Sequence, residues 1–205
     1  YELAIKEIKQ LLGLKNHNLV FTANATEANN LAIFGIADKY KSGKIITTKM
    51  EHPSVYNVMK HLEGSFEVVY LDVLENGLID LEALAREMTK DTILVSLMWV
   101  NNILGTVQNV KDAIKIVKKY PKAKLHVDAV QGLCKVTPDF DFNDIDLFTF
   151  SSHKFYGPKG IGGLFYRSNI DLDKRLFGSG AQFGIKPGTF DLALVCATAK
   201  AMKKY

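Results

Sequence analysis

Lys154 follows the strand-like run Leu147-Phe148-Thr149-Phe150, and Asp128, with Gln131 close behind it, stands at the end of an earlier strand-like run. An amine lifted off one strand and a carboxylate at the tip of another can share one chemistry. The amine forms a Schiff base with an aldehyde and the carboxylate keeps a pyridine nitrogen protonated, which are the two groups needed to hold pyridoxal 5'-phosphate. Either residue alone reads as structure, since lysines are usually solvated and an aspartate at a strand end is commonly a turn or cap residue. The surroundings of Lys154 are not those of an ordinary surface lysine. Phe155 to Gly163 contains four glycines and a proline, which forces a tight loop with close backbone approaches.

Other residues extend this pair into a site. Asn24 is placed to cap a helix with Glu27 as its box partner, and backbone amides at such a start, beside the Thr26 hydroxyl, make a phosphate cradle. His52 precedes Pro53, a helix initiator, where an imidazole can stack on a flat cofactor and assist proton transfer. Asn101 and Asn102 follow Trp99-Val100; one amide can turn the chain while the other bonds a ligand. Ser151 and His153 flank the lysine and can touch phosphate. His17, His61 and His126 have no comparable setting, and no His, Cys or acidic spacing suggests a metal site.

The elements that must position these residues alternate between strand and helix. Strands are predicted near 19–22, 44–47, 66–70, 93–98, 124–127 and 147–150, with helices through Leu12, at 26–40, 53–62, after Asp80, at 110–119 and at 192–202. Apolar strands without alternation imply an α/β fold: a mostly parallel sheet covered by helices on both faces, binding ligands at the carboxyl ends of its strands. The candidates fall in five loops on that rim. The 205 residues carry a net charge of +4 spread along the sequence, without a basic run interleaved with aromatics, so nucleic-acid binding has little support. No apolar run reaches the roughly 18 residues of a membrane span. Cys134 and Cys196 lie in apolar settings and are expected to be buried, reduced thiols, consistent with cytoplasm. The start at Tyr1 and the uncapped final helix suggest a piece of a longer protein.

Five motifs in order, Phe21-Thr22 with Ala25-Thr26-Glu27-Ala28, Glu51-His52-Pro53-Ser54, Val100-Asn101-Asn102, His126 to Gln131, and Ser152-His153-Lys154 with Tyr156 to Gly162, resemble the cysteine desulfurases of the nitrogen-fixation and iron–sulfur-cluster type, in the class V aminotransferase family. The resemblance spans nearly the whole chain. It implies the large domain of a fold type I pyridoxal phosphate enzyme over 1–205, lacking an N-terminal segment and a C-terminal small domain. It also implies that Lys154 bonds the cofactor, Asp128 pairs with the pyridine nitrogen and His52 stacks on the ring. Gln131 and Asn102 would attend the ring oxygen, and Ala25, Thr26, Ser151 and His153 the phosphate. Thr189 would reach the phosphate of a neighbouring subunit in a homodimer.

The implied activity removes sulfur from L-cysteine, giving L-alanine and an enzyme persulfide passed to a sulfur-acceptor or cluster scaffold protein. A selenocysteine lyase, another class V lyase or a non-catalytic scaffold paralogue are the alternatives. By the same resemblance, the nucleophilic cysteine and the arginine that grips the substrate carboxylate belong to a carboxyl-terminal part outside this chain, and Cys134 and Cys196 are packing residues. The chain departs from the family pattern at Asn24, Ile103, Gln182, Phe183 and Lys186. The change at Ile103, with that at Gln182 and Phe183, suggests the joint loss of a buried acid and its basic partner.

Overall fold

The apolar strand runs assemble into one sheet. In a computed structural model, which describes residues 1–204, the strands are β1 (His17–Thr22), β2 (Lys44–Thr48), β3 (Glu67–Leu71), β4 (Thr92–Met98), β5 (Lys124–Asp128), β6 (Leu147–Ser151) and β7 (Gly162–Arg167). Their spatial order is β1-β7-β6-β5-β4-β2-β3. Neighbours from β6 through β5, β4 and β2 to β3 pair in parallel, and β7 alone runs antiparallel to both of its partners. β2, β4 and β6 are buried along their whole length, as strands covered on both faces must be.

The helices are α1 (Glu2–Leu11), α2 (Ala25–Ala37), α3 (Pro53–Leu62), α4 (Leu81–Glu87), α5 (Val110–Val117) and α6 (Leu192–Lys204). Two apolar cores lie on opposite faces of the sheet. Successive residues of β6 show the division: Leu147 joins the core under α2 and α3, with Ile33, Ile36, Val55 and Met59, whereas Phe148 joins the core that holds Ile8, Trp99, Ile114 and Val195. That alternation is the strand's own two-residue period.

α2 ends at Ala37, short of the expected residue 40, and residues 38–39 make a turn. The larger difference is β7, which sequence reading absorbed into the glycine loop. Gly162 and Gly163 begin this strand because nothing larger fits there. A Cβ at Gly162 would lie 2.6 Å from the Phe150 carbonyl oxygen and 2.7 Å from the Asn24 carbonyl carbon, and one at Gly163 would lie 2.5 Å from the Phe150 ring. These glycines record close packing of strand against strand and against the turn that opens α2. Among the described residues, no helix is long and apolar enough to cross a membrane.

Candidate active site

The parallel strands end on one rim, and the five loops leaving β1, β2, β4, β5 and β6 enclose a cavity of about 250 Å³ there. Ala25, Thr26, His52, Asn102, Asp128, Gln131, Ser151, His153 and Lys154 all line it. Thr189 does not; it lies exposed on the segment that precedes α6.

The turn after β1 is built by capping. Asn24 Oδ1 accepts from the Glu27 amide at 3.0 Å, and Glu27 Oε2 accepts from the Ala23 amide at 2.7 Å. The acid therefore reaches one residue further back than the predicted box. Asn24 has an extended backbone, φ −171° and ψ 176°, so its tolerance of left-handed geometry is not used. The cap leaves the first turn of a 13-residue helix facing the cavity at Ala25 and Thr26, with the partial positive charge of a helix start.

Lys154 sits on a single 3₁₀ turn, Ser152–Phe155, that closes on Tyr156 in the left-handed region (φ 63°). Gly157 donates its amide to the Ser152 carbonyl at 3.0 Å, and a Cβ on Gly157 would fall 2.0 Å from Ser152 Oγ. That glycine is what allows so tight a return. Among the described residues no hydrogen bond or ion pair holds Lys154 Nζ. On the same turn Ser151 Oγ and His153 Nδ1 are 3.1 Å apart. Burial, then Lys154 and Lys159, hold the His153 imidazole below its ordinary pKa.

Asp128 closes the opposite wall. It is 3% exposed, with Oδ1 accepting from the Val130 amide at 3.0 Å and Oδ2 from Asn29 Nδ2 at 3.0 Å. Burial raises its pKa, and these two hydrogen bonds oppose the rise. Gln131 Oε1 accepts from Lys135 Nζ at 2.8 Å, which turns its amide NH₂ away from that partner. Asn101 turns the chain as expected, accepting from the Ile103 and Leu104 amides at 2.9 and 2.8 Å and leaving Asn102 exposed at the cavity.

Sequence reasoning missed three polar residues. Asn29, fully buried within α2, bridges Asp128, Ser54 and Thr149. Ser54 lines the cavity beside His52. Glu51 accepts from Thr48 Oγ1 at 2.8 Å and the Met98 amide at 3.0 Å, and burial, with the nearby Asp128 charge adding to it, pushes its pKa up to about 8. The available signal was an asparagine on the apolar side of α2, where a buried amide requires partners.

Two expectations need correction. Cys196 is exposed on α6, because α6 presents that position to solvent; only Cys134 is partly buried, and its thiol is pushed up to about 11 by burial. Neither lines the cavity. Ile103 is 84% exposed, so this chain has no buried site for an acid there. Gln182 instead ties its loop to β1, accepting from the Phe21 amide at 2.6 Å and donating to the Phe21 carbonyl at 3.1 Å. Lys186 Nζ lies 3.2 Å from Glu27 Oε1, supporting the cap of α2. Among the described residues, no three His, Cys, Asp or Glu side chains are grouped to hold a metal.

The donor set suits an anion at the start of α2, a protonated aromatic nitrogen at Asp128 and an electrophile at Lys154. The model of the class V aminotransferases matches residues 1–186. The cysteine desulfurase IscS of Neisseria gonorrhoeae is 44% identical over 207 residues, covering 98% of this chain and 51% of the relative. A solved NifS-like protein superposes with a TM-score of 0.93 at 35% identity, over 99% of this chain and 57% of that one. SspA, solved in complex with cysteine, gives 0.88 at 36% identity, over 100% and 62%. The chain spans about half the length of the curated relatives it matches.

Proposed function

The chain belongs to the class V aminotransferase family, and from that premise we propose that it is the cofactor-holding large domain of a pyridoxal phosphate-dependent cysteine desulfurase. The observation that carries the reading is the convergence of an unpaired Lys154 amine and a buried Asp128 carboxylate on one cavity whose third wall is a helix start. The residues fit the cofactor. Gly162 gives the Asn24–Ala25 turn its seat, as any Cβ there would strike that backbone.

When bound, pyridoxal phosphate supplies an electron sink for negative charge developing at the substrate Cα. The chain's own residues orient and move protons around it. Ala25 and Thr26, with Ser151 and His153, hold the phosphate; Asp128 holds the proton of the ring nitrogen. That cation would oppose the burial that raises the Asp128 pKa, as the bonds from Val130 and Asn29 do. His52 would cover the ring, Gln131 and Asn102 would donate toward its oxygen, and the Lys154 amine would carry protons to and from the substrate Cα.

The proposed substrate is L-cysteine. A thiolate would attack its sulfur, the C–S bond breaking with its electron pair going to Cβ, which takes up a proton, so that the products are alanine and an enzyme persulfide for a sulfur-acceptor or cluster scaffold protein. We assign that thiolate to neither Cys134 nor Cys196, which do not line the cavity. We further place Thr189 at the phosphate of a second subunit in a homodimer, and the protein, with both thiols unpaired, in the cytoplasm.

The test is spectroscopic and chemical. The protein should turn yellow with pyridoxal phosphate, and borohydride should trap the cofactor on the peptide that carries Lys154; a colourless protein with no trapped peptide sinks the reading. Alanine release from L-cysteine compared with L-selenocysteine, with a protein that also carries the attacking thiolate, then separates desulfurase from selenocysteine lyase.

A further inference from the structure

The hydrogen bonds behind His52 run in one direction only. In its ionised form the Asp128 carboxylate can only accept, so the Asn29 atom that faces Oδ2 at 3.0 Å is nitrogen. Asn29 Oδ1 accepts from Thr149 Oγ1 at 2.6 Å, and the second hydrogen on Nδ2 goes to Ser54 Oγ at 2.9 Å. The Ser54 hydroxyl, having accepted that bond, has its own hydrogen to give, and its neighbour at 2.7 Å is His52 Nδ1. The Ser54 amide donates to the same Nδ1 at 3.1 Å, as the N-cap bond of α3.

Two donors thus converge on one ring nitrogen. We propose that Ser54 is a positioning residue that fixes the tautomer of His52, with Nδ1 an acceptor and the proton on Nε2. Asn29 sets the sense of the Ser54 hydroxyl, and Asp128 sets the sense of Asn29. One buried amide therefore orients both the acid at the ring nitrogen and the imidazole over the ring. The proton-transfer role of His52 rests on the reading of the site given above; the order of the hydrogen bonds does not.

The tautomer is measurable without the cofactor. In protein labelled with ¹⁵N at histidine, two-bond proton–nitrogen correlation at a pH where the ring is neutral reports which nitrogen carries the proton, and His52→Gln assigns the signal. Expected for the unsubstituted protein is Nε2–H with Nδ1 in the acceptor range. Ser54→Ala removes the stronger donor and leaves the amide, moving the ratio toward Nδ1–H by roughly two- to tenfold, the equilibrium equivalent of one net hydrogen bond. Ser54→Thr restores the original ratio. Ser54→Cys, close in shape and a weaker donor, moves the ratio the same way as alanine and serves where alanine prevents folding. A purely structural serine would lower the thermal midpoint and leave the ratio alone. That result, or an Nδ1–H signal in the unsubstituted protein, overturns the proposal. Failure to bind pyridoxal phosphate would leave these spectra unchanged, so the two readings fail separately.

Discussion

The two walls of the cavity are made differently. On the Asp128 wall a connected set of polar side chains is engaged inside the protein: Asp128 by Val130 and Asn29, Asn29 by Thr149 and Ser54, Ser54 by His52. The open wall is formed on either side of it: Lys154 and His153 after β6 and Asn102 after β4 are exposed, and the Lys154 turn is fixed through its backbone, by Gly157 and Tyr156. A group that holds one proton at one atom throughout is served by burial and full hydrogen bonding. An amine that first bonds a cofactor and then leaves it to carry protons must keep its rotamers, so only its base is held. The buried wall presets orientation; the open wall preserves motion.

The largest effect expected from breaking this division is at Lys154. Lys154→Ala should abolish covalent cofactor attachment altogether, read as loss of the yellow colour and of the borohydride-trapped peptide. It should leave the thermal midpoint near its starting value, because exposed substitutions usually stay within about 0.5 kcal/mol. Loss of folding together with cofactor attachment would show that the open wall carries structural weight.

The next effect concerns the seam between the walls, where β7 passes beneath the phosphate turn. Gly162→Ala puts a methyl group 2.6 Å from the Phe150 carbonyl and 3.0 Å from the Ala25 nitrogen, both of them backbone atoms that must shift. Overpacking of this kind costs about 1–3 kcal/mol. A urea midpoint lowered accordingly, with weaker pyridoxal phosphate binding by titration, is the expected pair of results; a stability loss with unchanged binding would detach this strand from the cofactor seat.

The same division explains what could be read from sequence. Strand ends were legible because largely apolar runs such as Ile93 to Val100 stop at polar residues, here Asn101, and residues at such stops in parallel sheets share a rim. Lys154 was legible through its glycines, which the turn requires. Asn29, Ser54 and Glu51 were not, since an asparagine or serine near a helix start looks the same whether it faces water or an interior acid. β7 was hidden because Gly162 and Gly163 are there to admit neighbouring backbone and ring, and a strand that begins with glycines for that reason reads as a loop. Cys196 was misjudged because an apolar stretch does not say which side of a helix faces out.

Glu51 sharpens the contrast through pH. Burial pushes its pKa to about 8 in the folded protein, against 4.5 for a solvated glutamate. Between those values the folded state keeps a proton that the unfolded state has released, so this group makes stability fall as pH rises, by up to about 1.4 kcal/mol per unit. Its contribution is fully present below the lower value and lost above the upper one. Glu51→Gln should flatten the decline in urea midpoint across that window, and an unchanged slope would place the charge of Glu51 in water.

The smallest effect tests the far end of the open wall. Ile103 follows Asn102 by one residue, yet it is 84% exposed, and its amide is already held by Asn101 Oδ1 at 2.9 Å. A carboxylate introduced there would be solvated and would leave the turn's hydrogen bonds intact. Ile103→Glu should therefore change stability by less than about 0.5 kcal/mol and leave the pyridoxal phosphate dissociation constant the same within error. If the acid instead tightened cofactor binding severalfold, the loop after β4 would have to fold inward over the cavity when it is filled. The open wall would then be as ordered in its working state as the buried one.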